Sequence, residues 1–343
     1  MTTSSAPPAP DAPFGSVFAS TMAVATWSDG GWSAPKLGPV EPIPMHPATH
    51  VLHYGSACFE GLKAHRGVDG AVRIFRLDRH VERMQRSASV LMLPAPPTDL
   101  LTEMVVDVVQ AVRDEVPATP GSMYLRPTLL GTVPNIGAAA VPSPSAMLYV
   151  LASPVGDYFA GGIRPLRLAV ETEQPRTTPQ FGMVKSGANY VMALGPTMRA
   201  KQELGADQVL FAPNRRIQET GAANFMLIDA GRVVTPALSE AFLHGVTRDS
   251  VLTLAGDLGY LVDERDTLTV DALLEWSARD TAEAALSGTA AVLAAVGSLI
   301  VDGEEVPVGT GEVGANTLRL RTALTEVQTG QAEDRHGWLL PID

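Results

Sequence analysis

Lys185 stands in the run VKSGANY (184–190), and its neighbours are what single it out. A lysine in a new sequence is ordinarily a surface charge. Here Ser186, Gly187 and Ala188 are small enough for another group to approach the backbone, and an aromatic hydroxyl, Tyr190, follows five positions on. An amine that is partly desolvated gives up its proton more readily, and the neutral form can attack an aldehyde. Groups suited to anions lie elsewhere in the chain. Arg79, Arg83 and Arg86 share one helical stretch, and the permanent charge and planar fork of any of the three suit a phosphate dianion. Val246 and Thr247 open a helix, where free backbone N–H groups and the helix dipole favour an anion. Tyr124 and Arg126 lie two apart on an expected strand, so their side chains face the same way.

The elements that must position these residues can be read from period and punctuation. A strand is expected over 71–75, followed by a helix capped by Asp78 that carries Val81, Met84 and Ala88 on one face. A second helix follows Pro96-Pro97, with Leu101, Met104, Val105, Val108 and Val112 at helical spacing. Strands over 122–130 and 146–152 complete an α+β first half. The stretch 153–165 gathers prolines, glycines, Asp157 and Tyr158, and reads as a connection between domains, where binding clefts commonly lie. The second half opens with a strand over 166–171 and a helix over 189–204 that stops at Gly205. Strands over 208–212, 218–220 and 225–229 follow. Asp229-Ala230-Gly231 then turns the chain into a strand over 232–235. Helices run from Thr247 to Gly259 and over 270–276. The expected organisation is a mobile tail (1–15), a small α+β domain (16–152), an interdomain loop (153–165) and a large cofactor-binding domain (166–343).

Composition removes several function classes. At 343 residues the chain exceeds the size at which one core stops growing. Its formal charge is −12, from 37 acidic and 25 basic residues, which gives no basic footprint for nucleic acid. The single cysteine, Cys58, permits neither an intrachain disulfide nor a thiolate zinc cluster, and no metal is called for. Flanked by Ser56, Ala57 and Phe59, it reads as a small buried hydrophobe. No apolar run is long enough to span a bilayer, and the N-terminal segment is not a secretory signal, so a cytoplasmic location is expected. No internal repeat, phosphate loop or dinucleotide fingerprint is present.

Several strings in a fixed order carry a resemblance: LHYGSACFEGLKAHRG (52–67), IFRLDRHVERMQRSA (74–88), YLRPTLLGT (124–132), KSGANY (185–190), QETGAANF (218–225), GVTRD (245–249) and SGTAA (287–291), with HGWLLPI (336–342) near the end. Together they resemble the branched-chain amino-acid aminotransferases, fold-type IV pyridoxal-phosphate enzymes. The resemblance covers nearly the whole chain and implies a two-domain α+β and α/β architecture of the D-amino-acid aminotransferase-like type. It implies that Lys185 holds pyridoxal 5'-phosphate as a Schiff base and later moves a proton. Glu219, otherwise an ordinary strand carboxylate near Arg215 and Arg216, would face the pyridine nitrogen. Of the three arginines, Arg83 matches the phosphate ligand. Val246, Thr247 and Thr289 match the phosphate cup, and Tyr190 the partner of the phenolic oxygen. Tyr124 and Arg126, with the backbone at Thr289 and Ala290, would hold substrate carboxylates. Tyr54, Phe59, Val155 and Tyr158 match apolar pocket positions.

The implied reaction is ping-pong: L-leucine, L-isoleucine or L-valine gives up its amino group, and 2-oxoglutarate accepts it to become glutamate. The resemblance also implies a homodimer. This chain departs from the family at His244, where many relatives have proline, in the alanine-rich QETGAANF, and in SGANY, which replaces a double-glycine form. A CxxC pair known in some relatives is absent, since Thr289 is followed by Ala290, Ala291 and Val292. Rival readings within the fold are a transaminase for another aliphatic or D-amino acid and a lyase of the aminodeoxychorismate lyase type. Tyr124-Leu125-Arg126 and SGTAA favour the branched-chain group over both. A non-catalytic binding protein would require the lysine, glutamate and arginine to be coincidental.

Overall fold

A computed structural model describes residues 13–156 and 162–343. Within them one compact unit comprises the chain up to 156 together with Val184–Gly187 and Val327–Asp343, and a second comprises 162–183 and Ala188–Glu326.

The first unit is built on β1 (Thr21–Ser28), β2 (Gly31–Trp32), β3 (Lys36–Pro39), helix α1 (His50–Tyr54), β4 (Ala57–Phe59), β5 (Leu62–Arg66), β6 (Val72–Phe75), helices α2 (Leu77–Val90) and α3 (Thr98–Ala111), β7 (Ser122–Gly131) and β8 (Ala146–Val155). Its strands pair antiparallel in the order C-terminal strand (Leu339–Ile342), β6, β5, β7, β8, β1, β2, with β3 on β1 and β4 on β7. Strand side chains alternate between faces. One face carries Ala23, Cys58, Leu62, Ala64, Ile74, Met123, Leu125, Leu129, Leu148 and Val150 into a core shared with Val81, Met84 and Ala88 of α2 and with Leu101, Met104, Val105 and Val108 of α3. The helical spacing in the sequence is what puts those residues on one stripe. The opposite face presents Phe59, Lys63, Tyr124 and Arg126, since Lys63 pairs with Tyr124 and Phe59 with Thr128 across the ladders.

The second unit holds β9 (Leu166–Glu171), helix α4 (Gly187–Leu204), β10 (Gln208–Phe211), β11 (Asn224–Asp229), β12 (Arg232–Pro236), α5 (Val246–Asp257), β13 (Leu261–Arg265), α6 (Val270–Ser277), β14 (Glu283–Gly288), β15 (Val292–Val301), β16 (Glu304–Pro307) and α7 (Ala315–Gln328). The sheet order is β10-β9-β15-β14-β11-β12-β13 with β16 on β15. It is mixed: β9 runs parallel to β10 and β15, β12 parallel to β13, and the rest pair antiparallel. Asp229 pairs with Arg232 across the Ala230-Gly231 turn, as the sequence suggests.

Four expectations need correction. Asp78 does not cap α2; it lies in the first turn, and the cap position is Arg76 in a left-handed conformation (φ 53°, ψ 40°). That strained backbone is held from outside the helix: Arg76 N–H donates to Trp338 O (2.7 Å), and its guanidinium lies 4.7 Å from the Trp338 ring. Residues 218–220 form no strand, only single bridges of Thr220 to Leu210 and Glu219 to Asn224. The large domain does not run unbroken from 166 to 343, because the C-terminal strand pairs with β6 and Lys185 belongs with the first unit. The end of the expected tail is also engaged, with Phe14 packed edge-on against Tyr124 (centroids 4.9 Å). Tyr158 lies outside the described residues.

Candidate active site

Lys185 is fixed by its backbone. Its N–H donates to Ser87 Oγ of α2 (3.0 Å), and its carbonyl accepts from Phe59 N–H at the end of β4 (3.0 Å). The side chain then lies over Phe59, with Nζ 4.9 Å from the ring centroid. The guanidinium of Arg126 lies over the same ring at 4.4 Å, and its Nη2 donates to Tyr124 Oη (2.9 Å). Arg126 Nε is buried with no hydrogen-bond partner. Gly61 makes room for this pair, because a Cβ there would stand 2.1 Å from Tyr124 Oη. The Lys185 amine and the Arg126 guanidinium therefore both lie over one aromatic ring, on the face of the sheet opposite the core shared with α2 and α3.

Arg83 is buried by its place on the inner stripe of α2, whereas Arg79 and Arg86 are exposed. Its fork meets Glu60: Nε donates to Oε1 (2.7 Å) and Nη2 to Oε2 (2.8 Å), while His80 Nδ1–H donates to Oε2 (2.7 Å). Burial of Glu60 alone would raise its pKa, but Arg83 and His80 outweigh it and hold the carboxyl well below its usual range. His80 is pushed down by burial, with Glu60 pulling it up and Arg83 and Lys185 adding to the depression. Cys58, one residue before Phe59, is pushed up to about 12 by burial and then by Glu60, so its thiol is inert.

Two other expected substrate residues belong to this unit. Val155 is buried at the end of β8 opposite Ser122. Tyr54 is partly exposed on α1 and its hydroxyl donates to Ile136 O.

In the second unit Glu219 is 2% exposed and faces an equally buried arginine, Arg176. Arg176 Nη1 lies 2.7 Å from Glu219 Oε1 but off the direction a hydrogen bond needs, so the contact is ionic. Arg176 Nε donates to Gly221 O (3.2 Å), and its guanidinium stands 5.6 Å from the Tyr190 ring. The ordinary reading of Glu219 as a solvated carboxylate beside Arg215 and Arg216 therefore fails; Arg215 pairs instead with Asp271 and Asp302. Asn224 Nδ2 and Leu243 N–H also donate to Glu219 (3.1 and 3.0 Å). Two residues beyond Leu243, Gly245 is the cap of α5, so buried Val246 and Thr247 present their N–H groups at a helix start. Thr289 and Ala290 sit in the turn between β14 and β15, followed by Val292 at φ 62°. Arg321 Nη1 ties that turn down by donating to Leu293 O (2.9 Å) and Ala291 O. His244 Nε2–H donates to Ser239 O (2.9 Å), a loop role.

Sequence reasoning missed Glu60, His80, Ser87, Arg176 and Phe14. Glu60 and His80 carried a signal, since both stand inside the motifs that contain Phe59 and Arg83. Arg176 had none: it lies in an irregular stretch and its partner is distant in the chain.

Comparison with known proteins identifies the family. A family model described as amino-transferase class IV matches residues 57–299. A probable branched-chain-amino-acid aminotransferase of Streptomyces coelicolor is 38% identical over 95% of this chain and 91% of its own. Branched-chain-amino-acid transaminase 1 of Bacillus subtilis is 35% identical, covering 96% and 94%. Among solved structures, the T.th. branched-chain amino acid aminotransferase with pyridoxamine 5'-phosphate superposes with a TM-score of 0.76 at 30% identity, covering 93% of this chain and 98% of that one. The same protein has been solved with N-(5'-phosphopyridoxyl)-L-glutamate and with 4-methylvaleric acid. The chain belongs to the class IV aminotransferases. Among the described residues, no helix is long and apolar enough to cross a membrane.

Proposed function

We propose that this chain transfers the amino group of L-leucine, L-isoleucine or L-valine to 2-oxoglutarate with pyridoxal 5'-phosphate held by Lys185. The observation that carries the reading is the pair of cations over Phe59: the Lys185 amine at 4.9 Å and the Arg126 guanidinium at 4.4 Å from one ring. An amine that attacks carbonyls beside a fork for carboxylates suits a small amino acid. The branched-chain assignment is supported by the names of the relatives and by the apolar 4-methylvaleric acid in the T.th. protein. The phosphopyridoxyl-glutamate complex of that protein supports glutamate and 2-oxoglutarate as the second pair.

When bound, the cofactor supplies an aldehyde and an electron-withdrawing ring. The chain's residues do the rest. Lys185 would hold the cofactor's aldehyde carbon, and its amine would move the proton at the substrate Cα. Glu219 puts negative charge at the ring nitrogen, and Tyr190 donates to the phenolic oxygen. Arg83, the N–H groups of Val246 and Thr247 and the Thr289 turn would hold the phosphate. Tyr124 and Arg126 orient substrate carboxylate with Ala290 N–H, and Arg126 Nε gains the partner it lacks. Phe59, Val155 and Tyr54 would wall the side chain. Two copies assemble as a homodimer in the cytoplasm, and sedimentation of the holoenzyme should give twice the chain mass of 36.2 kDa.

Half-reactions test the chemistry. Branched L-amino acids and L-glutamate should each convert the absorbance of the loaded protein to its amine form, and Lys185→Ala should abolish conversion. Conversion by D-alanine alone would move the chain to the D-amino-acid group. Release of ammonia and a 2-oxo acid without an acceptor would make it a lyase.

A further inference from the structure

We propose that Asn224 is a positioning residue that couples the carboxylate at the cofactor ring to the helix start that receives the phosphate. The inference rests on the reading that Glu219 and the N-terminus of α5 hold those two ends. Asn224 is the first residue of β11, pinned through its backbone to Glu219 by a bridge and to Ser287 of β14 by the sheet register. Between Glu219 and Asn224 the chain makes a tight loop, closed by Thr220 N–H to Ala223 O (2.9 Å) and by Ala223 N–H to Thr220 Oγ1 (3.1 Å). The loop and the sheet thus aim one buried amide at two elements.

That amide spends both donors on different targets. Nδ2 donates to Glu219 Oε2 at 3.1 Å and to Leu243 O at 2.8 Å, and Leu243 N–H returns to Glu219 Oε1 at 3.0 Å. The three residues form a closed ring of hydrogen bonds. Its other face bears on α5: a Cβ on Gly245, the helix cap, would stand 1.9 Å from Asn224 Oδ1. The amide oxygen therefore abuts the helix cap while the amide nitrogen holds the Glu219 carboxylate. A primary amide is the group this requires. Aspartate would set a second negative charge against Glu219, and serine is too short to reach both acceptors.

Rigid spacing matters because a ligand held at two ends gains most when the second end needs no adjustment after the first has bound. If Asn224 sets that spacing, loosening it should cut the benefit of the phosphate, although Asn224 itself does not meet the phosphate. A merely structural role would weaken binding without regard to which end of the ligand is present.

The test compares dissociation constants of pyridoxal 5'-phosphate and of pyridoxal, which lacks the phosphate, for the wild-type apoprotein, Asn224→Ser and Gly245→Ala. The added methyl of alanine at 245 must displace the amide, so both variants should act alike. Each should lower the preference for the phosphorylated form by about tenfold, an ordinary coupling between residues of one network. Equal weakening of both ligands, with the preference unchanged within about twofold, would overturn the proposal. Should neither variant fold, a double-mutant cycle of Glu219→Gln with Val246→Pro, which removes a helix-start N–H at the position that best accepts proline, decides instead. Losses in cofactor affinity that depart from additivity by about fivefold or more support coupling, and additive losses refute it. A wild-type protein with no preference for the phosphorylated form would sink the underlying cofactor reading instead of the coupling.

Discussion

Because both oxygens of Glu60 are engaged by Arg83, and one of them also by His80, its removal strands a buried guanidinium. Breaking such a pair costs about 3–5 kcal/mol, most of it the penalty of the charge left behind. Glu60→Gln should therefore lower the urea midpoint and weaken cofactor affinity together. Glu60→Gln with Arg83→Met should recover stability but not affinity, which separates the structural share from the binding share. At this scale the sequence was legible where a motif named a residue. Residue type alone leaves three arginines open for one phosphate and the motif favours Arg83; of the three only Arg83 is buried, whereas Arg79 is exposed and pairs with Glu82. The sequence could not show Arg176, because a buried ion pair between distant segments leaves no local pattern. Nor could it show that Arg83 already shares its fork with Glu60.

The elements that periodicity names best are those with one wet face. Helices α2 and α3 and strand β9 stand close to where their spacing placed them, since a hydrophobic stripe must meet a core. The residues near 218–220 look like a strand because Ile217 and Thr220 suit one, yet the loop there bends to bring Glu219 against Asn224. Local preference yields to a buried polar contact. The cap of α2 was misread for a related reason. Asp78 is a good cap by type, but Trp338 holds Arg76 in the cap position from the far end of the chain. The C-terminal segment should thus matter to a helix it does not adjoin in sequence. Trp338→Ala is expected to cost about 3–5 kcal/mol, as for other buried tryptophans, read from chemical denaturation. Ending the chain at 337 should also expose the edge of β6 and promote association, visible as light scattering on mild heating.

For the molecule as a whole, acid should be the more damaging direction of pH. His65 is buried and pushed down to about 3, by burial and then by the charge of Lys63, and His80 is depressed as well. Both fold as neutral rings, so the unfolded chain binds more protons once pH falls below the ordinary histidine range. Their stabilisation is complete above that range and is lost progressively as pH falls toward the folded value. For His65 the interval from 6.5 to about 3 corresponds to about 5 kcal/mol. Glu60, whose folded value is also depressed, adds its loss only in stronger acid. Urea midpoints should hold above about pH 7 and fall from there to pH 4.5, and His65→Gln should flatten the decline (about one histidine's worth of slope). A midpoint independent of pH over that range would contradict the assignment of neutral buried rings.

The lone thiol offers a clock for motions near the site. Cys58 is fully buried in the first unit and lies between Ser56 and the Phe59-Glu60 pair that organises the lysine and the arginines. A disulfide reagent can reach it only when that strand detaches, so the labelling rate measures the frequency of local opening, not intrinsic thiol reactivity. Every molecule carries the reporter without engineering, and with a single cysteine the signal has one source. If a ligand tightens this face of the sheet, labelling slows; if it binds without restraining β4, the clock keeps its pace.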